Sequence, residues 1–97
     1  MNKGELIDRL AETAGMDAKH ARMAVEALFA TDPRNGVIAR ALESGDKVQI
    51  TGFGTFEVRE RKARTGRNPR TGEEISIPAT RIPAFSAGKS LKDRFTS

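Results

Sequence analysis

The sequence predicts a small α+β protein in which helices come first and antiparallel strands follow, with a long basic arm. Three observations predict this class. Apolar residues recur at helical spacing through residues 1–46, the period changes to two from Lys47, and a run of cations surrounds a Gly-Arg-Asn-Pro turn within residues 59–77. The 97 residues fit one domain, residues 1–97, that is too short for two independent cores.

Two short amphipathic helices are predicted at the start. Asn2 is placed as N-cap of the first helix, with Glu5 three residues later, and Gly15 ends that helix. Asp17 is placed to cap the second helix, and Met16 before it can pack onto Ala21. The predicted apolar faces comprise Leu6, Ile7, Leu10, Ala11 and Ala14 in the first helix and Ala21, Ala24, Val25, Leu28 and Phe29 in the second.

A break is predicted in the helical pattern at residues 31–36. Pro33 lacks the amide hydrogen that a helix interior requires, and the Asn35-Gly36 pair favours positive φ. The helical pattern resumes at Val37, and residues 44–46 close it.

Strand patterns begin at Lys47. Val48 and Ile50 alternate with polar residues, residues 52–54 permit a bend, and Phe56 and Val58 alternate again, so a hairpin is expected. The strands of the body are expected at 47–58 and 78–85, with the arm at 59–77 between them. A last helix is expected over 86–97, with Ser86 as its cap.

The positive charge is concentrated in the arm. The chain has 17 basic and 13 acidic residues, but residues 1–46 carry a net −2 and residues 47–97 a net +6. Residues 59–70 contain six cations and one acidic residue, Glu60, for a net charge of +5. The cations are Arg59, Arg61, Lys62, Arg64, Arg67 and Arg70. Such a field indicates a polyanionic partner, either a nucleic acid or an acidic protein. A solvated charged surface is the plain alternative.

Catalysis has little support in the sequence. There is no cysteine, His20 is the single histidine, and Glu73-Glu74 is an exposed pair beside a turn. We therefore expect no enzyme activity, no cofactor and no metal. No apolar stretch approaches the roughly 18 residues that span a membrane, and the first ten residues mix charge into a helical pattern. A cytoplasmic protein without a membrane partner is expected.

The size of the chain predicts a homodimer. If about 20 residues form a two-stranded ribbon that is marginal by itself in water, the remaining body is near the lower limit for supporting its own core. Large apolar side chains are numerous for so small a body. We expect four of them to be buried across the interface between two copies: Phe29, Phe53, Phe56 and Phe85.

Two runs make the sequence similar to a known family. GFGTFEVRERKARTGRNP and PAFSAGKSLK, within residues 45–93, closely resemble the bacterial histone-like HU and integration host factor family, and MNKGELIDRLAETAG resembles its N-terminal helix. The resemblance implies an intertwined homodimer with a helical base, a β-saddle and two ribbon arms that wrap the DNA minor groove. It implies a histone-like protein of the bacterial nucleoid that bends, wraps and compacts duplex DNA with little sequence preference.

The same resemblance implies roles for individual residues. Pro69 matches the wedge that inserts between base pairs at the arm tip; without the resemblance, Asn-Pro would indicate only a turn. An apolar wedge partly unstacks a base step, and the bend lets more phosphates reach cations. The other implied DNA-binding residues are Lys3, Arg59, Arg61, Lys62, Arg64, Thr65, Arg67, Asn68, Arg70, Thr71, Arg81 and Lys89.

The sequence departs from the family pattern at residues 30–36. Relative to the spacing of the family, about six residues are added there, on the scale of an ordinary loop insertion, and they fall where relatives continue a long second helix. Three alternatives stay open: a site-specific bender of the integration host factor type, a module that docks an acidic protein, and secondary RNA binding. Pairing with a paralogue instead of a second copy also stays open.

Overall fold

The computed structural model describes residues 1–96, which form two units of different structure. Residues Met1–Ser44 are helical, and the residues from Gly45 onward form strands and one short helix. The elements are α1 (Lys3–Ala14), α2 (Ala18–Phe29), α3 (Val37–Glu43), β1 (Val48–Ile50), β2 (Gly54–Arg61), β3 (Arg64–Arg67), β4 (Glu74–Ile77), β5 (Thr80–Ala87) and α4 (Lys89–Asp93). The predicted α+β class is confirmed.

Side-chain caps define the first two helices as the sequence predicts. The Asn2 side chain accepts a hydrogen bond from the Glu5 amide at 2.9 Å, and the Asp17 side chain accepts one from the His20 amide at 2.8 Å. Each bond satisfies an amide that has no partner within the helix. Gly15 ends α1 at φ 66°, a left-handed conformation that costs glycine little.

The helical unit has a small apolar core. Ile7 on α1 packs against Ala21 and Val25 on α2, and all three are buried, while Met16 packs against this cluster as its position before the Asp17 cap predicts. Other members of the predicted apolar faces remain partly exposed, among them Leu6, Leu28 and Phe29. The unit therefore keeps a considerable apolar surface outside its core.

The predicted break after the second helix is present. Helix α2 ends at Phe29, and α3 begins at Val37. In the loop between them, the Asn35 side chain donates to the Asp32 carboxylate at 2.7 Å. Gly36 has φ 87°, and a Cβ at this position would overlap the Ala30 carbonyl oxygen, so only glycine fits there.

The strand unit contains two antiparallel sheets that share one pairing register. Strands β1, β2 and β5 form the first, with β2 in the centre, and β3 and β4 form the second. The ladder of β2 and β5 runs from Gly54↔Ala87 to Arg61↔Thr80, and that of β3 and β4 from Arg64↔Ile77 to Arg67↔Glu74. Between the pair Arg61↔Thr80 and the pair Arg64↔Ile77, the chain advances by three residues on both sides. No bulge therefore intervenes, and the two ladders form one long ribbon.

The ribbon is interrupted at residues 62–63 and 78–79, which belong to no strand. Pro78 lies in this gap and has no amide hydrogen to donate across the ladder. Below the gap, β2 and β5 continue together as far as Arg61 and Thr80. The body strands therefore continue into the arm, past the predicted border at 58/59 as far as Arg61, and the borders at 58/59 and 77/78 stay a prediction.

The predicted start of the last helix is wrong. Ser86 does not cap it but lies within β5, opposite Thr55 in the ladder. Helix α4 begins at Lys89 after Gly88, without a side-chain cap, and ends at Asp93. Backbone bonds join it to the turn between β1 and β2, since the Leu91 amide donates to the Gly52 carbonyl at 3.1 Å. Ser97 of the predicted helix lies outside the described residues.

We predict that Gly54→Ala destabilises the protein. A Cβ at the buried Gly54 would lie 2.6 Å from the Ser86 carbonyl oxygen and would overlap the Phe85 ring. Overpacking of this kind costs about 1–3 kcal/mol of unfolding free energy, which urea denaturation at one protein concentration measures.

Gly4→Ala is the matched control. Its Cβ would lie 3.4 Å from the Asn2 side chain within α1, and the same exchange in a helix gains about 0.5–1 kcal/mol. Equal unfolding midpoints for the two variants would contradict the close contact at Gly54.

Candidate nucleic-acid interface

The ribbon carries cations on both of its faces. Side chains alternate along a strand, and residues paired across an antiparallel ladder share a face. Arg59, Arg61 and Arg67 therefore lie on one face together with Thr65, whereas Arg64 lies on the other. Glu60 is an even number of residues from Arg64 and lies on the same face. Arg81 pairs with Glu60 and therefore shares that face. All of these residues are exposed, as are Lys62 in the gap and Arg70 beyond the ladder.

A tight turn closes the ribbon at residues 68–73, and we call it the tip turn. The Asn68 amide donates to the Glu73 carbonyl at 2.9 Å, and the Gly72 amide donates to the Asn68 carbonyl at 2.8 Å. The Thr71 hydroxyl accepts from the Glu73 amide at 3.3 Å. Pro69 is exposed within this turn, so the structure presents its ring at the end of the arm.

A polar cluster holds Arg59 where the arm leaves the body. Its guanidinium contacts the Glu57 carboxylate at 3.3 Å and donates to the Ser86 hydroxyl at 3.2 Å. Lys47 approaches the same carboxylate at 3.7 Å. The Glu57 side chain is only 23% exposed against 60% for Arg59, so the carboxylate is the more enclosed partner. We did not predict this cluster, although the spacing of Glu57 and Arg59 puts them on one strand face.

Two of the implied DNA-binding lysines form ion pairs. Lys3 Nζ lies 2.9 Å from a Glu26 carboxylate oxygen in the helical unit, and Lys89 Nζ lies 2.9 Å from an Asp93 carboxylate oxygen within α4. All four side chains are largely exposed, so each pair contributes little to stability and can exchange its partner for a phosphate.

A shallow groove lies at the gap in the ribbon. Its volume is about 400 Å³, and its lining residues come from both strands: Glu60, Arg61, Lys62, Ala79, Thr80 and Arg81. Three cations against one carboxylate make this groove electropositive. The groove is therefore better suited to a phosphate than to a metal ion.

The predicted interface phenylalanines are partly exposed. In the strand unit, the Phe85 ring lies 4.8 Å from that of Phe56 and 5.8 Å from that of Phe53, centroid to centroid. Phe53 is 50% exposed and Phe85 42%, and Phe29 in the helical unit is 47% exposed. Each unit thus presents large apolar side chains to its surroundings. Their burial in a dimer stays a prediction.

Residues 1–96 contain neither a metal-binding group of three His or carboxylate side chains nor a helix that could cross a membrane. The candidate interface consists instead of exposed guanidiniums on a paired ribbon. Its chemistry is the recognition of phosphate by charge-assisted hydrogen bonds.

Comparison with known proteins agrees with this geometry. The family model described as "Bacterial DNA-binding protein" matches residues 1–96. The chain belongs to this family. DNA-binding protein HU of Geobacillus stearothermophilus is 58% identical over 93 residues, which cover 96% of this chain and 97% of the relative. DNA-binding protein HU 1 of Bacillus subtilis is 56% identical, covering 96% and 95%. The resemblance to HU found in the sequence is therefore confirmed.

Solved HU structures also match the fold. The chain in an Anabaena HU–DNA cocrystal structure superposes with a TM-score of 0.81 at 52% identity, covering 99% of this chain and 98% of that one. An HU variant from Thermotoga maritima matches with a TM-score of 0.67 at 35% identity, covering 99% and 100%. The predicted helical and β-ribbon architecture is therefore shared with HU proteins.

We predict that Glu57→Gln raises the affinity for duplex DNA a few-fold at low salt. The change removes the carboxylate that holds Arg59 and approaches Lys47, and ion pairs whose cation remains largely in solvent are worth about 0.2–1 kcal/mol. Fluorescence anisotropy with a labelled duplex measures the affinity.

Glu12→Gln on α1 is the matched control, since it makes the same change in net charge on an exposed helix position. Equal gains for the two variants would show that net charge, and not the cluster around Arg59, sets the affinity.

Proposed function

We propose that this HU-family chain is a histone-like architectural protein that bends, wraps and compacts duplex DNA with little sequence specificity. The observation that carries the proposal is the ribbon itself, which keeps one register, bears exposed cations on both faces and ends in Pro69. A relative that is 52% identical over nearly the whole chain has been crystallised with DNA. The role is structural and not enzymatic, because the family consists of DNA-binding proteins.

Phosphate contacts provide the affinity. Guanidinium groups bind phosphate oxygens with two parallel hydrogen bonds, and each neutralised phosphate releases counterions from the duplex. These contacts do not depend on the base sequence. The site-specific alternative of the integration host factor type is therefore not favoured, since most of the arm side chains that could reach DNA are those of cations suited to the backbone.

Pro69 provides the bend. A ribbon is narrow enough to follow the minor groove, and the exposed prolyl ring at its end can enter between two base pairs. Such insertion costs a few kcal/mol per base step, a figure typical of minor-groove architectural proteins, HU among them. The bent duplex then brings more phosphates to the arm cations, to the exposed Arg81, and to Lys3 and Lys89, whose ion-pair partners can be exchanged.

We infer that the protein acts as a homodimer. The buried core of the described residues is small, and Phe29, Phe53 and Phe85 remain 42–50% exposed in the single chain. Burying these rings against a second copy would remove their apolar surface from water. Sedimentation tests this inference: a species of 10.6 kDa, the mass of one chain, at micromolar concentration would contradict it.

DNA in the nucleoid is the expected partner in the cell. Structured RNA offers the same phosphate charge and is a weaker second candidate, because the arm, residues 59–77, has no aromatic side chain on which unpaired bases could stack. A filter-binding competition between duplex DNA, duplex RNA and an acidic polypeptide separates these partners. Stronger binding of either competitor than of DNA would contradict the proposal.

We predict a steep salt dependence of DNA binding. If each protein particle neutralises about 6–10 phosphates, log affinity falls with log salt with a slope of about −0.9 per phosphate. Replacing Arg61 and Arg67 by Gln should make this slope shallower by about one unit for each contact that is lost. Gel-shift titrations at several salt concentrations measure it.

Arg22→Gln on α2 is the control for this series, because it removes one exposed cation from outside the arm. A flat salt response of the unmodified protein would exclude the electrostatic mechanism.

We predict that Pro69→Ala reduces DNA bending more than it reduces binding. The variant keeps every charge of the arm but loses the rigid ring that enters the base step. Fluorescence energy transfer between the ends of a nicked duplex should show a longer end-to-end distance at saturation, and the preference for nicked over intact DNA should fall. Equal losses of bending and binding would count against the wedge.

A further inference from the structure

The hydrogen bonds of the tip turn converge on Asn68. Its amide donates to the Glu73 carbonyl at 2.9 Å, and its carbonyl accepts from the Gly72 amide at 2.8 Å. Its side-chain oxygen accepts from the Arg70 amide at 2.9 Å. The residue is half-buried, whereas Pro69 and Arg70 beside it are exposed. Asn68 therefore uses its side-chain oxygen within the turn.

The side-chain bond spans Pro69. The proline ring fixes φ of this residue near about −65°, so ψ is the only soft backbone torsion left at the wedge. That torsion sets the direction of the next peptide group, whose amide hydrogen belongs to Arg70. The bond from this amide to the Asn68 side chain therefore restrains ψ, and both torsions of the proline are held.

The far side of the turn is restrained as well. Gly72 has φ 72°, a left-handed conformation that glycine adopts without the cost of a Cβ. Its carbonyl also accepts from the Arg67 guanidinium at 3.4 Å. The ends of the turn are therefore fixed by backbone bonds and by Arg67, while the orientation of the proline within it depends on Asn68.

We propose that Asn68 is a positioning residue that presents the Pro69 ring to a base step, and that it does not read bases. The inference rests on the proposed wedge and extends it to a second residue. Without the side-chain bond, ψ of Pro69 would sample other values, and the arm would present the ring correctly for only part of the time. Bending would then cost more, as for any binder whose competent state is partly populated.

Two variants of Asn68 separate positioning from DNA contact. Asn68→Ala removes the acceptor without changing charge, so it should reduce the bend at saturation and lower the preference for nicked over intact DNA about fivefold, the factor expected for one net hydrogen bond. Its affinity for intact duplex should fall by a smaller factor than its affinity for the nicked duplex. Asn68→Asp keeps an acceptor for the Arg70 amide, so the bend at saturation should be kept while the added carboxylate weakens binding to both duplexes.

The measurements are end-to-end energy transfer and gel shifts on nicked and intact duplexes at several salt concentrations. The weakening by Asn68→Asp should shrink as salt rises, since it is electrostatic. Wild-type bending and nick preference in Asn68→Ala would overturn the proposal. A loss of bend in Asn68→Asp equal to that in Asn68→Ala would also overturn it, because the side chain would then act through its amide donor.

Pro69→Ala distinguishes this failure from that of the proposed function. If Pro69→Ala reduces the bend and Asn68→Ala does not, only the positioning role fails. If Pro69→Ala bends DNA like the unmodified protein, the wedge and its positioning fail together. NMR of the free protein gives a readout without DNA. The temperature coefficient of the Arg70 amide proton shift should become more negative in Asn68→Ala, because the hydrogen bond is lost, and should stay near the unmodified value in Asn68→Asp.

Discussion

The unbroken register of one antiparallel ribbon is the constraint on which the candidate interface depends. The pairing that begins at Gly54↔Ala87 keeps the same offset across the gap and through Arg67↔Glu74. Because side chains alternate with a period of two, a slip of one residue would move every arm cation to the opposite face. The same offset leaves the six residues 68–73 for the tip turn, so the position of Pro69 at the end of the arm follows from the pairing of the strands below it.

The ribbon requires support from the rest of the protein. A two-stranded ribbon is marginal in water, and this one brings six cations within twelve residues close together. Glu57 and Glu60 offset part of the repulsion, and Glu57 does so from a more enclosed position than its partner Arg59. The three-stranded sheet below, with its Phe56 and Phe85 contact, anchors both strands. Phosphates would then relieve the remaining repulsion, so the arm is better suited to the DNA-bound than to the free state.

Local features of the fold could be predicted from the sequence, and features of tertiary pairing could not. The caps at Asn2 and Asp17 and the break near Pro33 depend on residues within a few positions, and the pattern identified them. The end of β5 at Ala87 was missed because Ser86 indicates a helix cap, although it lies within the strand. Pro83 is tolerated within β5 because this strand is at the edge of its sheet, where a missing amide hydrogen can face outward. The bonds of Asn68 and the contacts of Glu57 require side-chain geometry that a sequence pattern does not contain.

The loop at residues 30–36 offers a practical route to observing this protein. Its backbone is fixed at Gly36 and by the Asp32–Asn35 bond, but Thr31 is exposed. The chain has no cysteine, so Thr31→Cys would introduce a unique thiol. A dye attached there would change no charged residue of the chain. Fluorescence from such a probe could follow individual particles as they diffuse along stretched DNA, with every arm residue unaltered.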